Sequence, residues 1–382
     1  MEINSYFINL KLFIFFVLLL FSIKELTIQE QRSLALYKHY TNDCRNLKEY
    51  NRIKIKNIIP YFSICLPAFN MEKYIQKVVL SILNQSFQDF EIIIVNDNSY
   101  DKTEDIIKYL ISKDNRIKYI NHFNNSGVYN SRVDAFSLSK GKYILLMDPD
   151  DMLLNPKLFK YLFNFNLKYN LDIIEFTTLC YEEKSSNLMI KKPRYHYHKL
   201  DGIIYQPQLS DIYFYDPETK KNSEVQCRNI WNKIIRRDVL LKAINYIGQD
   251  YYKKFFITAE DTIINLISIH FASNFSNINL PGYMYNIREE SMTHGKSDIK
   301  KNILFNFNHL LYLKKFYTYI KEFDKDRNIL FYELKKINQL LLQLKNYTYI
   351  YDNDINNFYK DILYDKYSSE LFKEYIRNFI KF

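Results

Sequence analysis

Phe90-Glu91-Ile92-Ile93-Ile94-Val95-Asn96-Asp97-Asn98-Ser99 is the stretch on which the fold turns. Its first part is apolar on both alternating faces, rich in β-branched residues, and it runs straight into an Asn/Asp/Ser cluster. A strand apolar on both faces is covered on both faces, which is the habit of a parallel strand between helices. The flanking sequence agrees. Phe62-Ser63-Ile64-Cys65-Leu66 reads as a short apolar strand ended by Pro67, and Tyr74 to Leu83 carries Ile75, Val78, Val79 and Ile82 at helical spacing. Asp101 opens a second helix with Ile106, Ile107, Leu110 and Ile111 on one side. Arg116 to Asn121 reads as a third strand, Val128 to Ser139 as a helix and Tyr143 to Met147 as a fourth strand. Strands separated by helical runs imply right-handed crossovers, so the expected class is α/β with a mostly parallel sheet flanked by helices.

Ligands of such sheets bind beyond the carboxyl ends of the strands. The residues there are Pro67-Ala68-Phe69-Asn70, Asn96-Asp97-Asn98-Ser99 and Asp148-Pro149-Asp150-Asp151. A lone Asp-x-Asp is as often a turn and helix cap. Placed after a buried strand and facing Asp97, it becomes a carboxylate cluster that needs a cation, and hard oxygen donors suit Mg²⁺ or Mn²⁺.

Composition narrows the chemistry further. The 382 residues include only 6 Gly, too few and too scattered for a dinucleotide fingerprint, a Walker loop or a nucleophile elbow. Net charge is +10, from 53 basic and 43 acidic residues, and it is spread along the chain. The 35 Tyr and 29 Phe, like the abundant Asn, Ile and Lys, run through every segment and form no patch. That pattern fits A/T-rich codon usage better than a nucleic-acid surface, and no nucleic-acid partner is expected. Cys44, Cys65, Cys180 and Cys227 are far apart, which argues against a zinc ribbon or disulfide framework and leaves Cys65 as a core residue. His196 and His198, on an alternating Tyr/His stretch, read as a strand face.

Phe7 to Ile23 is almost wholly apolar, at the lower limit for a bilayer helix, with no small-residue cleavage site after it. The expected organisation is a signal anchor over 1–25, a stem over 26–60, a main domain over 61–300 and a helical C-terminal region over 301–382. A cleaved signal is the competing reading of the first segment. One N-terminal span implies a single-pass membrane protein, of the endoplasmic reticulum or Golgi in a eukaryotic cell.

Several further segments complete a recognisable order: Ser81-Ile82-Leu83-Asn84-Gln85-Ser86, Gly127-Val128-Tyr129-Asn130-Ser131-Arg132, Gly141 through Asp151, Trp231-Asn232-Lys233-Ile234-Ile235-Arg236-Arg237 and Ile257-Thr258-Ala259-Glu260-Asp261. Together with the strand-end loops, they resemble the family 2 glycosyltransferases of the bacterial polysaccharide type, with the GT-A nucleotide-sugar fold. The resemblance implies an inverting, metal-dependent transfer from a nucleotide-diphosphate sugar to a glycan, protein or lipid acceptor. It assigns Pro67, Ala68, Asn70, Glu72, Asp97, Arg132, Asp148, Asp150 and Arg288 to the donor, with Asp97 on the base, Arg132 on the base or its phosphates and Arg288 over the diphosphate. It assigns Asp148, Asp150 and Asp151 to Mn²⁺ or Mg²⁺, Asp261 to the general base and Glu260 to its orientation. Phe69 stands where the family often has Tyr, and Asn96 replaces the first of two acids. A dolichyl-phosphate sugar synthase and a non-catalytic sugar-nucleotide or glycan-binding protein on the same fold are the alternatives.

Overall fold

A computed structural model describes residues 59–184, 187–189, 202–206, 209, 229–248 and 260–288. The expected anchor over 1–25, almost all of the stem, the His196/His198 stretch and the region 301–382 lie outside these residues. No helix among the described residues is long and apolar enough to cross a membrane.

The first half alternates as expected: β1 (Phe62–Ala68), α1 (Ile75–Leu83), β2 (Phe90–Asn96), α2 (Thr103–Lys113), β3 (Ile117–Asn121), α3 (Val128–Leu138) and β4 (Tyr143–Leu146). β1 pairs in parallel with β2 on one side and β4 on the other, and β2 pairs in parallel with β3. Every residue of β1 and β2 is buried, which accounts for their nearly continuous apolar runs; Ser63 and Glu91, the polar exceptions within them, hydrogen-bond each other. Ile64, Leu66, Ile92 and Ile94 point to the face covered by α1 and α2, in one core with Val78, Ile82, Ile107 and Leu110. α3 packs across β1 and β2.

The second half adds β5 (Met152–Leu153), α4 (Leu158–Tyr169), β6 (Ile173–Lys184), β7 (Asn187–Met189), β8 (Ile203–Tyr205), β9 (Lys233–Arg236), α5 (Arg237–Ile247), α6 (Glu260–Phe271) and β10 (Asn274–Ile287). The sheet order is β3-β2-β1-β4-β9-β6-β10-β5, with β7 on β6 and β8 on β10. Here the expectation of a mostly parallel sheet needs correction. β9 lies between β4 and β6 and is antiparallel to both, and β5, β7 and β8 also pair antiparallel, so the sheet is mixed. The reason is local. Antiparallel neighbours need no helical crossover, so short strands such as Lys233–Arg236 leave no alternation for the sequence to display.

Conserving the β1–β4 junction depends on a glycine. Gly141 donates its N–H to Ser63 Oγ at 2.7 Å, and Ser63 Oγ donates to Glu91 Oε1 at 2.6 Å. A Cβ at Gly141 would lie 2.5 Å from Ser63 Oγ, 2.6 Å from Ser63 N and 2.7 Å from the Phe62 carbonyl carbon. Two of those atoms are backbone and cannot swing aside. Gly141→Ala is therefore expected to cost about 1–3 kcal/mol, the range for overpacking. Denaturant unfolding of parent and variant checks this.

Candidate active site

Three strand-end loops and one helix start meet at the carboxyl edge of the parallel strands. The loops after β1 and β2 are stitched together by their polar side chains. Asn70 N–H donates to Ser99 Oγ at 2.9 Å, and Tyr100 N–H donates to Asn70 Oδ1 at 3.1 Å. Glu72 N–H donates to Asp101 Oδ2, and Lys102 N–H returns a bond to Glu72 Oε2, both at 3.1 Å. Asn70 and Asn98 adopt φ of 55° and 59°, a left-handed backbone that asparagine tolerates better than most residues. Asn70 and Glu72, assigned to the donor by resemblance, thus build the loop pair itself. Pro67 and Ala68 lie buried at the end of β1 beneath it.

Asp97 follows β2 and sits against the start of α3. Its Oδ1 accepts from Ser126 N–H at 2.8 Å, Ser126 Oγ at 2.9 Å and His122 Nδ1 at 2.7 Å, and its Oδ2 accepts from Gly127 N–H at 2.8 Å. These bonds hold its carboxyl below the usual range although burial pushes the other way. Free N–H groups at a helix start favour an anion, and Gly127 reaches this geometry with a φ of 90°. Asn96, in place of an acid, is used structurally: its Nδ2 donates to Asn121 Oδ1 at 2.7 Å, tying β2 to β3.

Arg132, on α3, is buried, with Asp148 Oδ1 on its Nη2 and Glu260 Oε1 3.3 Å from its Nε. A buried guanidinium must be paired, and its partners come from the loop after β4 and from the first residue of α6. Arg132, expected at the base or its phosphates, here forms an internal bridge between the two halves of the site. Arg288, just past β10, pairs with Asp150 Oδ2 at 2.5 Å and lies over the Tyr74 ring, 4.8 Å from its centroid.

The three carboxylates of Asp148-Pro149-Asp150-Asp151 do not share one face. Asp151 is fully buried: Tyr283 Oη donates to its Oδ2 and Asn286 N–H to its Oδ1, both at 2.7 Å. Tyr283 Oη also accepts from Asp148 N–H at 3.2 Å, and the Tyr283 ring stacks on Trp231 at 4.7 Å. Asp151 therefore ties the turn to β10, while Asp148 and Asp150 beside it stay partly exposed. The side chains that keep some exposure are those of Asp148 and Asp150, 25% and 13% exposed. Burial, with Asp148 nearby, pushes Asp150 up to about 6. The segment Ser81 to Ser86 supports the turn from below. Leu153 N–H donates to Ser81 Oγ at 3.1 Å, and Gln85 Nε2 donates to Asn155 O at 2.9 Å.

Glu260 and Asp261 begin α6. Glu260 is buried and burial raises it to about 7, against the opposing pull of Arg132. Asp261 is partly exposed, accepts from Thr262 N–H at 2.7 Å and is also raised by desolvation. Sequence reasoning missed Tyr283, His122 and Ser126, because nothing in their spacing signals that the fold brings them to Asp151 and Asp97.

Among the described residues, no group of three His, Cys, Asp or Glu side chains stands ready to hold an ion. Asp148 and Asp150 nevertheless fit a divalent cation in donor chemistry. Mg²⁺ typically takes one or two carboxylates and completes its shell with substrate phosphates and water.

This mixed α/β sheet, with carboxylates at the carboxyl edge of its parallel strands, is of the GT-A type. Residues 63–242, just under half of the chain, match the model of glycosyl transferase family 2. An uncharacterized glycosyltransferase of Haemophilus influenzae is 40% identical over 113 residues, covering 30% of this chain and 45% of that protein. Uncharacterized glycosyltransferase MJ1057 of Methanocaldococcus jannaschii is 32% identical over 158 residues, 40% of this chain and 53% of that one. The GalNAc(5)-diNAcBac-PP-undecaprenol beta-1,3-glucosyltransferase of Campylobacter jejuni is 35% identical over 98 residues, 25% of this chain and 32% of that one. The matches thus span about half or less of these relatives. In fold, the chain is similar to S. aureus TarS 1-349, solved in complex with UDP-GlcNAc, with a TM-score of 0.52 and 19% identity over 72% of this chain and 71% of that one.

Proposed function

We propose that this chain is an inverting glycosyltransferase that moves a sugar from a nucleotide-diphosphate donor to a hydroxyl of a glycan, protein or lipid acceptor. The observation that carries the reading is the Arg132 bridge. It brings Asp148, from the loop that would face the diphosphate, and Glu260, beside the proposed base Asp261, onto one guanidinium. Donor loops and acceptor-side carboxylates are thereby held in one site. Asp97 accepts from an N–H of the donor base. Asp148 and Asp150 would hold Mn²⁺ or Mg²⁺, which would supply positive charge to the leaving diphosphate. Arg288, anchored on Asp150 and Tyr74, offers a second positive charge at the same place. Asp261 takes the proton of the acceptor hydroxyl, and buried Glu260 fixes the start of α6 through Arg132. A carboxylate whose affinity for protons is raised by desolvation is a better base than one in water.

A panel of nucleotide sugars with Mn²⁺, scored by thermal shift, tests the donor class. Uridine or guanosine donors should raise the Tm, whereas a panel without effect would reject donor binding.

Residues 7–23 are proposed as a signal anchor that places the site at a membrane surface. The full chain should then partition with membranes, and a chain beginning at Asn57 should remain in the supernatant and still bind donor. Membrane association of the shortened chain would relocate the attachment.

A further inference from the structure

The ring of His122 lies between two carboxylates. Its Nδ1 is 2.7 Å from Asp97 Oδ1, and its Nε2 is 3.0 Å from Asp134 Oδ2. An ionised carboxylate only accepts hydrogen bonds, so both ring nitrogens must donate, and a neutral imidazole has one donor. Ser126 Oγ, 2.9 Å from Nδ1, is itself turned toward Asp97 Oδ1. The charged groups facing the ring are Asp97 from the turn after β2 and Asp134 from α3.

We propose that His122 is a positioning residue of the donor site: it stands as an imidazolium that clamps the 122–127 loop between β2 and α3, fills Asp97 Oδ1, and leaves Oδ2 to read the donor base. Oδ2 accepts one bond among the described residues, from Gly127 N–H, so a second acceptor position remains. With Asp97 held ionised, that position takes an N–H such as uracil N3–H and repels the bare N3 of cytosine. This deepens the proposed function and rests on its reading of Asp97. The neighbouring carboxylates hold His122 protonated up to about 9, against 6.5 for an unperturbed histidine. Its folded affinity for the proton exceeds its unfolded one, so the stability it lends is full below pH 6.5 and declines as pH rises to about 9.

The test begins with NMR of the full chain carrying labelled histidine, with the His122 signals assigned by their loss in H122N. His122 should keep both ring protons through pH 8 and titrate near 9. D134N should lower that midpoint without touching Asp97. A midpoint at or below 6.5, or one indifferent to D134N, would overturn the clamp. Calorimetry with UDP and CDP in Mg²⁺ at pH 7.5 gives the second readout. H122A should weaken UDP by about tenfold and reduce the preference for UDP over CDP, a change that general loss of stability would not single out. An H122A protein with the parent's UDP affinity and preference would overturn the base-reading role. D97N separates the two claims: if it binds UDP like the parent, the reading of Asp97 fails, while the titration still decides the state of His122.

Discussion

Asp261→Asn should leave donor affinity within a few-fold of the parent and lower sugar transfer by roughly 10² to 10⁴, the usual range for losing acid-base help. The expectation follows from how the two carboxylates at the start of α6 are housed. Glu260 is buried against Arg132, and its loss would disturb the bridge to Asp148. Asp261 is the partly exposed member, bonded locally to Thr262 N–H, and it can meet an acceptor without dismantling that bridge. Asparagine preserves shape and the capping bond but cannot take up the proton. A residue serving only as a helix cap would instead cost about 1 kcal/mol of stability on removal, with turnover unchanged. Single-turnover transfer and thermal unfolding on the same variant separate the two outcomes.

The second large effect concerns the aspartate turn. Asp148→Asn combined with Asp150→Asn should remove the metal-dependent part of donor affinity, an effect of about tenfold or more, or ~1.4 kcal/mol. Each of these carboxylates already pairs with an arginine, Arg132 or Arg288, so both are fixed in place before any donor arrives. Asparagine keeps the volume, and the guanidinium groups keep a polar neighbour. Nucleotide titrations with Mn²⁺ and with chelator, on parent and variant, give the comparison. Equal affinities for the parent in the two conditions would remove the metal from the reaction. Asp151→Asn should behave differently. Its bonds to Tyr283 and Asn286 N–H are internal, so its main effect should fall on stability.

Much of this was legible before any coordinates. β1, β2 and β4 announce themselves because strands buried on both faces are apolar almost throughout, and the loops after them carry the polar residues that the site uses. α1 and α2 show the 3.6-residue period for the complementary reason, since each buries one apolar face, whereas α3 buries polar residues with apolar ones and shows no such stripe. The second half was harder to read. β9 has four residues and joins α5 directly, so no turn or alternation separates strand from helix. β6 and β10 pair in parallel although about a hundred residues separate Ile173 from Phe275 along the chain, a distance over which local pattern carries no pairing information. The site shows the same division. Residue types on the aspartate turn were legible, but which carboxylate faces the core depends on Tyr283 and Asn286, far along the chain. Arg132 is a similar case. On α3 alone it reads as a helix-surface charge, and the resemblance assigns it to the donor; only the arrival of α6 supplies Glu260 as its second partner.

The most direct test of the central claim is donor turnover by the full chain. Release of nucleoside diphosphate would be followed from UDP- and GDP-linked sugars in Mn²⁺, with Asp261→Asn and the Asp148→Asn, Asp150→Asn pair alongside. The account predicts metal-dependent release from at least one donor, suppressed in both variants, with nucleotide binding retained in Asp261→Asn. Binding of a nucleotide sugar without release of diphosphate, across the panel and in the presence of glycan, peptide and lipid-linked acceptors, would contradict it and leave a sugar-nucleotide-binding protein on the same fold.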